Sequence, residues 1–226
     1  LAELTFKTRI ENAPDVYSFI FEKPQDFNWI AGQFIQITFP HDNPDDRGIK
    51  RFFSISSAPF EKMVMITSRI ELSKSSSFKK AFYDIKPGTI IESTDPKGEF
   101  IITEQDKKII LVAGGIGVTP MRAIILDLDY NNKLKKIDLM YSNKDDNLPF
   151  KNDFEDKKTK NSTFNIYYFI SPERINEENI DRIESEFPDC YVFISGPPAM
   201  VESVEELFIL KGLPKESIRT DYFPGY

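Results

Sequence analysis

Residues Ile109 to Met121 read Ile-Ile-Leu-Val-Ala-Gly-Gly-Ile-Gly-Val-Thr-Pro-Met, and this run constrains the chain more than any other stretch. The apolar opening fits a strand buried on both faces. The glycines break that strand, and Pro120 suits the first turn of a helix, where its missing N–H costs nothing. Glycines also let backbone N–H groups approach an anion at the positive end of the helix, and Thr119 is placed to cap the helix or to hydrogen-bond a phosphate. Read alone, the run is either a pyrophosphate-binding loop or a tight strand-to-helix turn. Its position at the head of a strand–helix series favours binding, with Gly115, Gly117, Val118, Thr119 and Pro120 as the candidate contacts.

Two patterns meet just before this run. From Leu4 to Phe100 short β-rich segments alternate with turns: Leu4–Ile10, Val16–Glu22, Phe34–Phe39, Phe52–Ser56, Met63–Ile70 and Thr89–Glu92. They predict a small antiparallel barrel or sandwich. One segment departs from alternation, because Phe78, Ala81, Phe82 and Ile85 recur at helical spacing after a serine run that can cap them. Past Thr103, strands at Lys108–Ala113, Ile137–Tyr141, Phe164–Ile170, Tyr191–Ser195 and Ile218–Asp221 alternate with helical stretches at Thr119–Leu128, Phe150–Lys158, Glu177–Phe187 and Pro197–Leu210. That order predicts a doubly wound parallel sheet. The polar stretch from Thr103 to Lys107 separates the two, giving expected domains at 1–103 and 104–226.

Composition excludes several classes. With 40% hydrophobic residues and 20 Phe, the 226-residue chain can bury about 70% of its unfolded surface, so it is not disordered. No apolar run approaches the roughly 20 residues of a membrane span. A net charge of -7 repels polyanions, which argues against nucleic acid as a partner. One Cys and one His supply neither a disulfide nor a zinc site, so no metal is expected and a cytoplasmic setting is. Leu1, in place of an initiator Met, points to a tag, leader or further domain removed ahead of it.

Other loops could carry chemistry. Ser195-Gly196-Pro197-Pro198-Ala199-Met200 follows a strand and opens a helix at the same end of the predicted sheet as the first loop, where ligands of open α/β sheets bind. The second strand ends in Tyr141-Ser142-Asn143-Lys144 rather than in the acidic residue of an ordinary NAD fingerprint. Ser142, Asn143 and Lys144 could donate to a 2′-phosphate, favouring NADPH over NADH, although Asp145 and Asp146 weaken that attraction. In Arg51-Phe52-Phe53-Ser54, alternation places Arg51 and Phe53 on one face and Phe52 and Ser54 on the other. Read alone, Arg51 is an exposed edge charge and the two rings are ordinary core.

Taken together, these segments resemble the ferredoxin–NADP reductase superfamily, whose members join a flavin-binding β-barrel to a nicotinamide-nucleotide domain. Arg51-Phe52-Phe53-Ser54 is similar to the family's Arg-x-Tyr-Ser/Thr motif, which implies that Arg51 binds the flavin's phosphate, Phe53 lies against its ring, and Ser54 meets its polar edge. Phe53 replaces the usual tyrosine, keeping the ring and losing the phenol. Gly32-Gln33-Phe34 and Asp95-Pro96-Lys97-Gly98-Glu99-Phe100 resemble structural turns of the family's barrel. Ser76-Ser77-Phe78-Lys79 resembles the helix start that receives the flavin pyrophosphate through free N–H groups, and Ser68 is placed with the same cofactor contacts. Gly114 to Pro120 resembles the Gly-Gly-x-Gly-x-Thr-Pro nucleotide loop. Ser195-Gly196-Pro197-Pro198 matches Cys-Gly-Pro-Pro with serine in place of the thiol, while Cys190, too far along its strand to substitute, is expected to be a buried core residue. Asp221-Tyr222-Phe223-Pro224-Gly225-Tyr226 resembles the tail that covers the flavin, with Phe223 as the shielding ring, Tyr222 and Tyr226 as alternatives, and Asp221 near the reacting edge.

The resemblance implies FAD, in preference to FMN, as cofactor, NADPH or NADH as donor, and Ser54, Ser195 and Asp221 around the reacting atoms. Gly196, Pro197 and Met200 join the nucleotide contacts. The implied reaction is hydride transfer from NAD(P)H to FAD, followed by electron delivery to a separate acceptor such as a ferredoxin- or flavodoxin-like protein. Net charge disfavours an acidic acceptor, though Lys133, Lys135 and Lys136 could steer one locally. Two alternatives stay open: a reductase of free flavin or quinone, and an electron-transfer subunit of a larger complex.

Overall fold

A computed structural model describes residues 1–103, 106–183 and 190–223. The first half forms a six-stranded antiparallel sheet from β1 (Ala2–Ala13), β2 (Val16–Glu22), β3 (Phe34–Thr38), β4 (Lys50–Ser54), β5 (Met63–Arg69) and β6 (Ile90–Ser93), in the order β4-β3-β6-β1-β2-β5. The outer strands β4 and β5 meet only at a single bridge, Ile55 to Ile66, so the sheet is barrel-like rather than a closed barrel. Two β-bulges on β1, at Phe6/Thr8 and Glu11/Ala13, add bend and twist to the long strand that joins the two sides of the sheet.

Helix α1 (Ser77–Tyr83) packs inside the curl. Ser76 caps it by accepting the Lys79 N–H at 3.2 Å, and Phe78 and Phe82, four residues apart, share one face. Both rings are fully buried, each burial contributing about 1.5–3 kcal/mol, and Phe82 stacks on Phe53 at 6.0 Å.

The second half is a five-stranded parallel sheet ordered β11-β10-β7-β8-β9: β7 (Lys108–Gly114), β8 (Ile137–Asn143), β9 (Phe164–Ile170), β10 (Cys190–Gly196) and β11 (Ile218–Tyr222). Alternation along β7 sends Ile109, Leu111 and Ala113 to one core and Ile110 and Val112 to the other. Helices α2 (Val118–Tyr130) and α3 (Lys151–Lys160) fill the first core, and α4 (Glu177–Ile183) and α5 (Pro198–Leu210) the second. Helices on both faces make the sheet doubly wound, as expected from the strand–helix alternation. The part of the expected fourth helix beyond Ile183, and Glu104 and Gln105 of the expected linker, lie outside the described residues. Cys190 is buried at the start of β10.

The two sheets are packed together. Ala31, Met65 and Phe100 join the core cluster around α2. Arg122 of α2 reaches across: its Nη1 donates to the Ser56 carbonyl at 2.9 Å, Nη1 and Nη2 grip Glu61 at 2.8 and 3.0 Å, and Nε donates to Asp153 of α3 at 2.7 Å. Glu61 also accepts the Ala58 N–H at 2.7 Å, so the loop between β4 and β5 is fixed to the base of the wound sheet.

Candidate functional site

The incomplete seam between β4 and β5 leaves a cavity of about 380 Å³, lined by Phe34, Arg51, Phe52, Phe53, Ser54, Ser68, Lys79, Asp221, Tyr222 and Phe223. Strand β4 supplies it by alternation. Arg51 and Phe53 point inward at 5% and 7% exposure, whereas Phe52 is 62% exposed, so Arg51 is a buried cation and not an edge charge. Its Nη1 donates to the carbonyls of Arg47 and Lys50 at 2.7 and 2.6 Å, and its guanidinium lies over the Phe78 ring. Phe53 presents one side to the cavity and the other to the core rings Phe78 and Phe82.

Strand β11 closes the cavity from the other half of the molecule. Ser54 Oγ donates to Asp221 Oδ2 at 3.2 Å, joining residues 167 apart in sequence. Burial raises the Asp221 carboxyl to about 6, against the lowering effect of the Ser54 hydrogen bond. In the parallel register Asp221 lies beside Ser195, and Ser195 beside Ala113. The Ser195 Oγ is buried with no hydrogen-bond partner among the described residues, and Ser195 lines neither this cavity nor the second one. Ser54, Asp221 and Ser195 thus gather at the junction of the sheets.

A second cavity, about 530 Å³, opens at the carboxyl ends of β7, β8 and β10 and is lined by Gly114, Gly115, Ile116, Pro197, Met200 and Phe223 together with Ser142, Asn143 and Lys144. Here the glycines matter through packing. A Cβ on Gly117 would stand 2.3 Å from the Ser195 carbonyl oxygen, and one on Gly114 would stand 2.2 Å from Met200 Sδ, so the two loops touch backbone to backbone. Gly115 has φ +52°, a left-handed conformation, and a Cβ there would make only an ordinary contact, 3.8 Å, with Asn143 Oδ1.

Several expected contacts lie elsewhere. Gly117, Val118, Thr119 and Pro120 are buried in the start of α2 and do not line the cavity; Thr119 Oγ1 donates back to the Ile116 carbonyl at 3.0 Å and caps nothing. Gly196 underlies the loop without lining the cavity. Ser76 is the buried cap of α1 and Phe78 is core. The Ser77 N–H is not free: it donates to Asp45 Oδ2 at 2.9 Å, while Ser77 Oγ accepts the Asp45 N–H at 2.8 Å. The Asp45 carboxylate, from the loop between β3 and β4, therefore takes the Ser77 N–H expected to meet a pyrophosphate. Asn143 spends its amide on the Asp145 and Asn147 carbonyls, which leaves Lys144 as the cation of its trio. Tyr226 lies outside the described residues.

The cavity walls also hold residues not named as contacts from the sequence: Lys79, the last residue of the Ser76–Lys79 segment, in the first, and Arg69, Arg174, Ile175 and Ser203 in the second. Arg174 follows the carboxyl end of β9, so the rule that ligands bind at strand carboxyl ends would have found it. Arg69 comes from β5 of the other sheet, and no local signal points to it.

Residues 111–206 match the oxidoreductase NAD-binding domain family. The chain is 26% identical to flavohemoprotein B of Dictyostelium discoideum over 94% of its own length, and it spans 57% of that relative. Among solved structures it is similar to the FAD/NAD-binding domain of a nitric oxide dioxygenase from Vibrio cholerae (TM-score 0.82, 18% identity, 98% of each chain). It is similar also to a ferredoxin NADP+ reductase from Neisseria gonorrhoeae with bound FAD and NADP (TM-score 0.82, 15% identity, 100% of this chain and 98% of that one). Residues 111–206 thus match an oxidoreductase NAD-binding domain, and the whole chain has the two-domain fold of these FAD/NAD-binding structures.

Proposed function

We propose that the chain is an NAD(P)H-dependent flavoprotein reductase that passes electrons to a separate acceptor. The observation that carries this reading is contiguity: Phe223 lines both cavities, so a ligand in each would meet at one ring. Bound in the first cavity, FAD would supply the redox chemistry, accepting a hydride (two electrons and a proton) from NAD(P)H and releasing electrons singly. The residues fit it, since the walls offer a buried guanidinium, an ammonium, two serine hydroxyls and apolar rings.

In this reading residues 1–103 form the flavin domain and 104–226 the nucleotide domain. Arg51 holds phosphate charge, Phe53 backs the ring system, and Ser54 with Asp221 forms a polar pair at the reacting edge. Ser68 completes the polar wall. Ser195, buried beside Asp221, underlies the place where the nicotinamide would lie, and Pro197 and Met200 bound the nucleotide. Phe223 keeps water from the ring until the donor arrives. Lys144 and Arg174 give the second cavity positive charge that favours NADPH over NADH. Phe52 and Tyr222, 62% and 44% exposed, form an apolar rim where an acceptor reaches the cofactor. A single buried thiol suits a cytoplasmic setting.

The test is anaerobic mixing of FAD-loaded protein with NADPH or NADH while flavin absorbance is followed. Rapid bleaching, faster with NADPH, is expected. Binding of both without bleaching overturns the reading.

A further inference from the structure

We propose that Lys79 is a second phosphate ligand of the flavin site, sharing the cofactor's phosphate charge with Arg51. The inference rests on reading the first cavity as the flavin site. Lys79 lines that cavity with Arg51 and Ser68, held there by α1.

Two of the first three N–H groups of α1 are already taken. The Ser77 N–H is given to Asp45 and the Lys79 N–H to Ser76. An anion entering the cavity therefore has to be balanced by side-chain cations, and two of the cavity's lining residues carry one: Arg51 and Lys79.

Among the described residues Lys79 Nζ makes no hydrogen bond or ion pair, although it is partly buried. The charges around it are positive on three sides: Arg51 on β4, Arg47 in the loop before β4, and Arg69 at the end of β5. The Asp45 carboxylate of the β3–β4 loop is taken by Arg47 at 2.6 Å, by the Ser77 N–H and by Arg51 at 3.8 Å, and Asp221 lines the cavity on the β11 side. Burial first, and then these three arginines, lower the ammonium to about 8. A cation so placed lacks a counter-charge that a phosphate supplies. Binding would return the proton to Lys79, so flavin affinity falls as pH rises from 7 to 9.

The experiment titrates the full chain with FAD, FMN and riboflavin at pH 7 and pH 9, following flavin fluorescence, for the wild type, Lys79→Met and Lys79→Arg. Lys79→Met is expected to weaken FAD at pH 7 roughly ten- to hundredfold, the range of one charge-assisted hydrogen bond, and to leave phosphate-free riboflavin unchanged. Lys79→Arg restores FAD affinity, and neither variant keeps the wild type's loss between pH 7 and 9. Equal weakening of FMN assigns Lys79 to the phosphate next to the ribityl chain, and weakening of FAD alone assigns it to the adenylate phosphate; either supports the proposal. Unchanged FAD affinity in Lys79→Met, or equal weakening of FAD and riboflavin, overturns it. Wild-type protein that binds no flavin would overturn the reductase reading as well, whereas wild-type binding with an unaffected Lys79→Met variant removes this inference alone.

Discussion

The two cavities are built from different material. The first is made of side chains, among them a guanidinium, an ammonium, hydroxyls, a carboxyl and rings, drawn from β4, β5, α1 and β11. The second rests on backbone: Gly114, Gly115 and Ile116 face the opening, and glycines 114 and 117 are small because the β10–α5 loop presses on them. The difference teaches where each is vulnerable. A site of side chains loses affinity by substitution while its frame stands, whereas a site of closely apposed backbone fails when a single methyl group is added.

The comparison breaks first at the contact between the halves. Arg122→Met leaves Glu61, Asp153 and the Ser56 carbonyl without their shared donor, and is expected to cost about 3 kcal/mol. Trp29, the only tryptophan, lies in the core of the first sheet and reports on that half. In urea its fluorescence and the far-ultraviolet circular dichroism should follow one transition in the wild type and diverge in Arg122→Met. Coincident, unshifted curves would mean that the clamp holds nothing.

Next in size is Gly117→Ala. With its Cβ 2.3 Å from the Ser195 carbonyl oxygen, it should cost about 2–3 kcal/mol by denaturant unfolding and abolish nucleotide binding while FAD binding survives. Gly115→Ala, at φ +52° and 3.8 Å from Asn143 Oδ1, should cost only about 1–2 kcal/mol. Equal losses at the two positions would erase the distinction between a packed backbone and a strained one.

The smallest effect sharpens the comparison. Thr119→Val removes a hydroxyl bonded to the Ile116 carbonyl and is expected to cost about 1 kcal/mol, with the KM for NAD(P)H changed less than about twofold. A large rise in KM would return Thr119 to the phosphate contacts.

Much of this architecture was legible from period alone. The alternation in Arg51-Phe52-Phe53-Ser54 put Arg51 and Phe53 on one face, which the structure turns inward, but it grouped Ser54 with exposed Phe52, whereas Ser54 is buried; the strand–helix order after Thr103 predicted the doubly wound sheet. Misread features depend on where loops cross. Asp45 occupies the start of α1 because the distant β3–β4 loop folds over it, and a threonine at a helix start bonds backward or forward according to backbone angles that residue type leaves open. Arg69 reaches the second cavity from the other sheet, and Lys79 sits among arginines that lie 10 to 32 positions away. Local pattern carries no record of such meetings.

Phe223 is pinned by its N–H to the Gly196 carbonyl at 2.8 Å and is a partition common to both chambers. Any swing of that ring hands volume from one compartment to the other. A guest arriving on either side is therefore registered by its neighbour as a change in available room, before the two have touched.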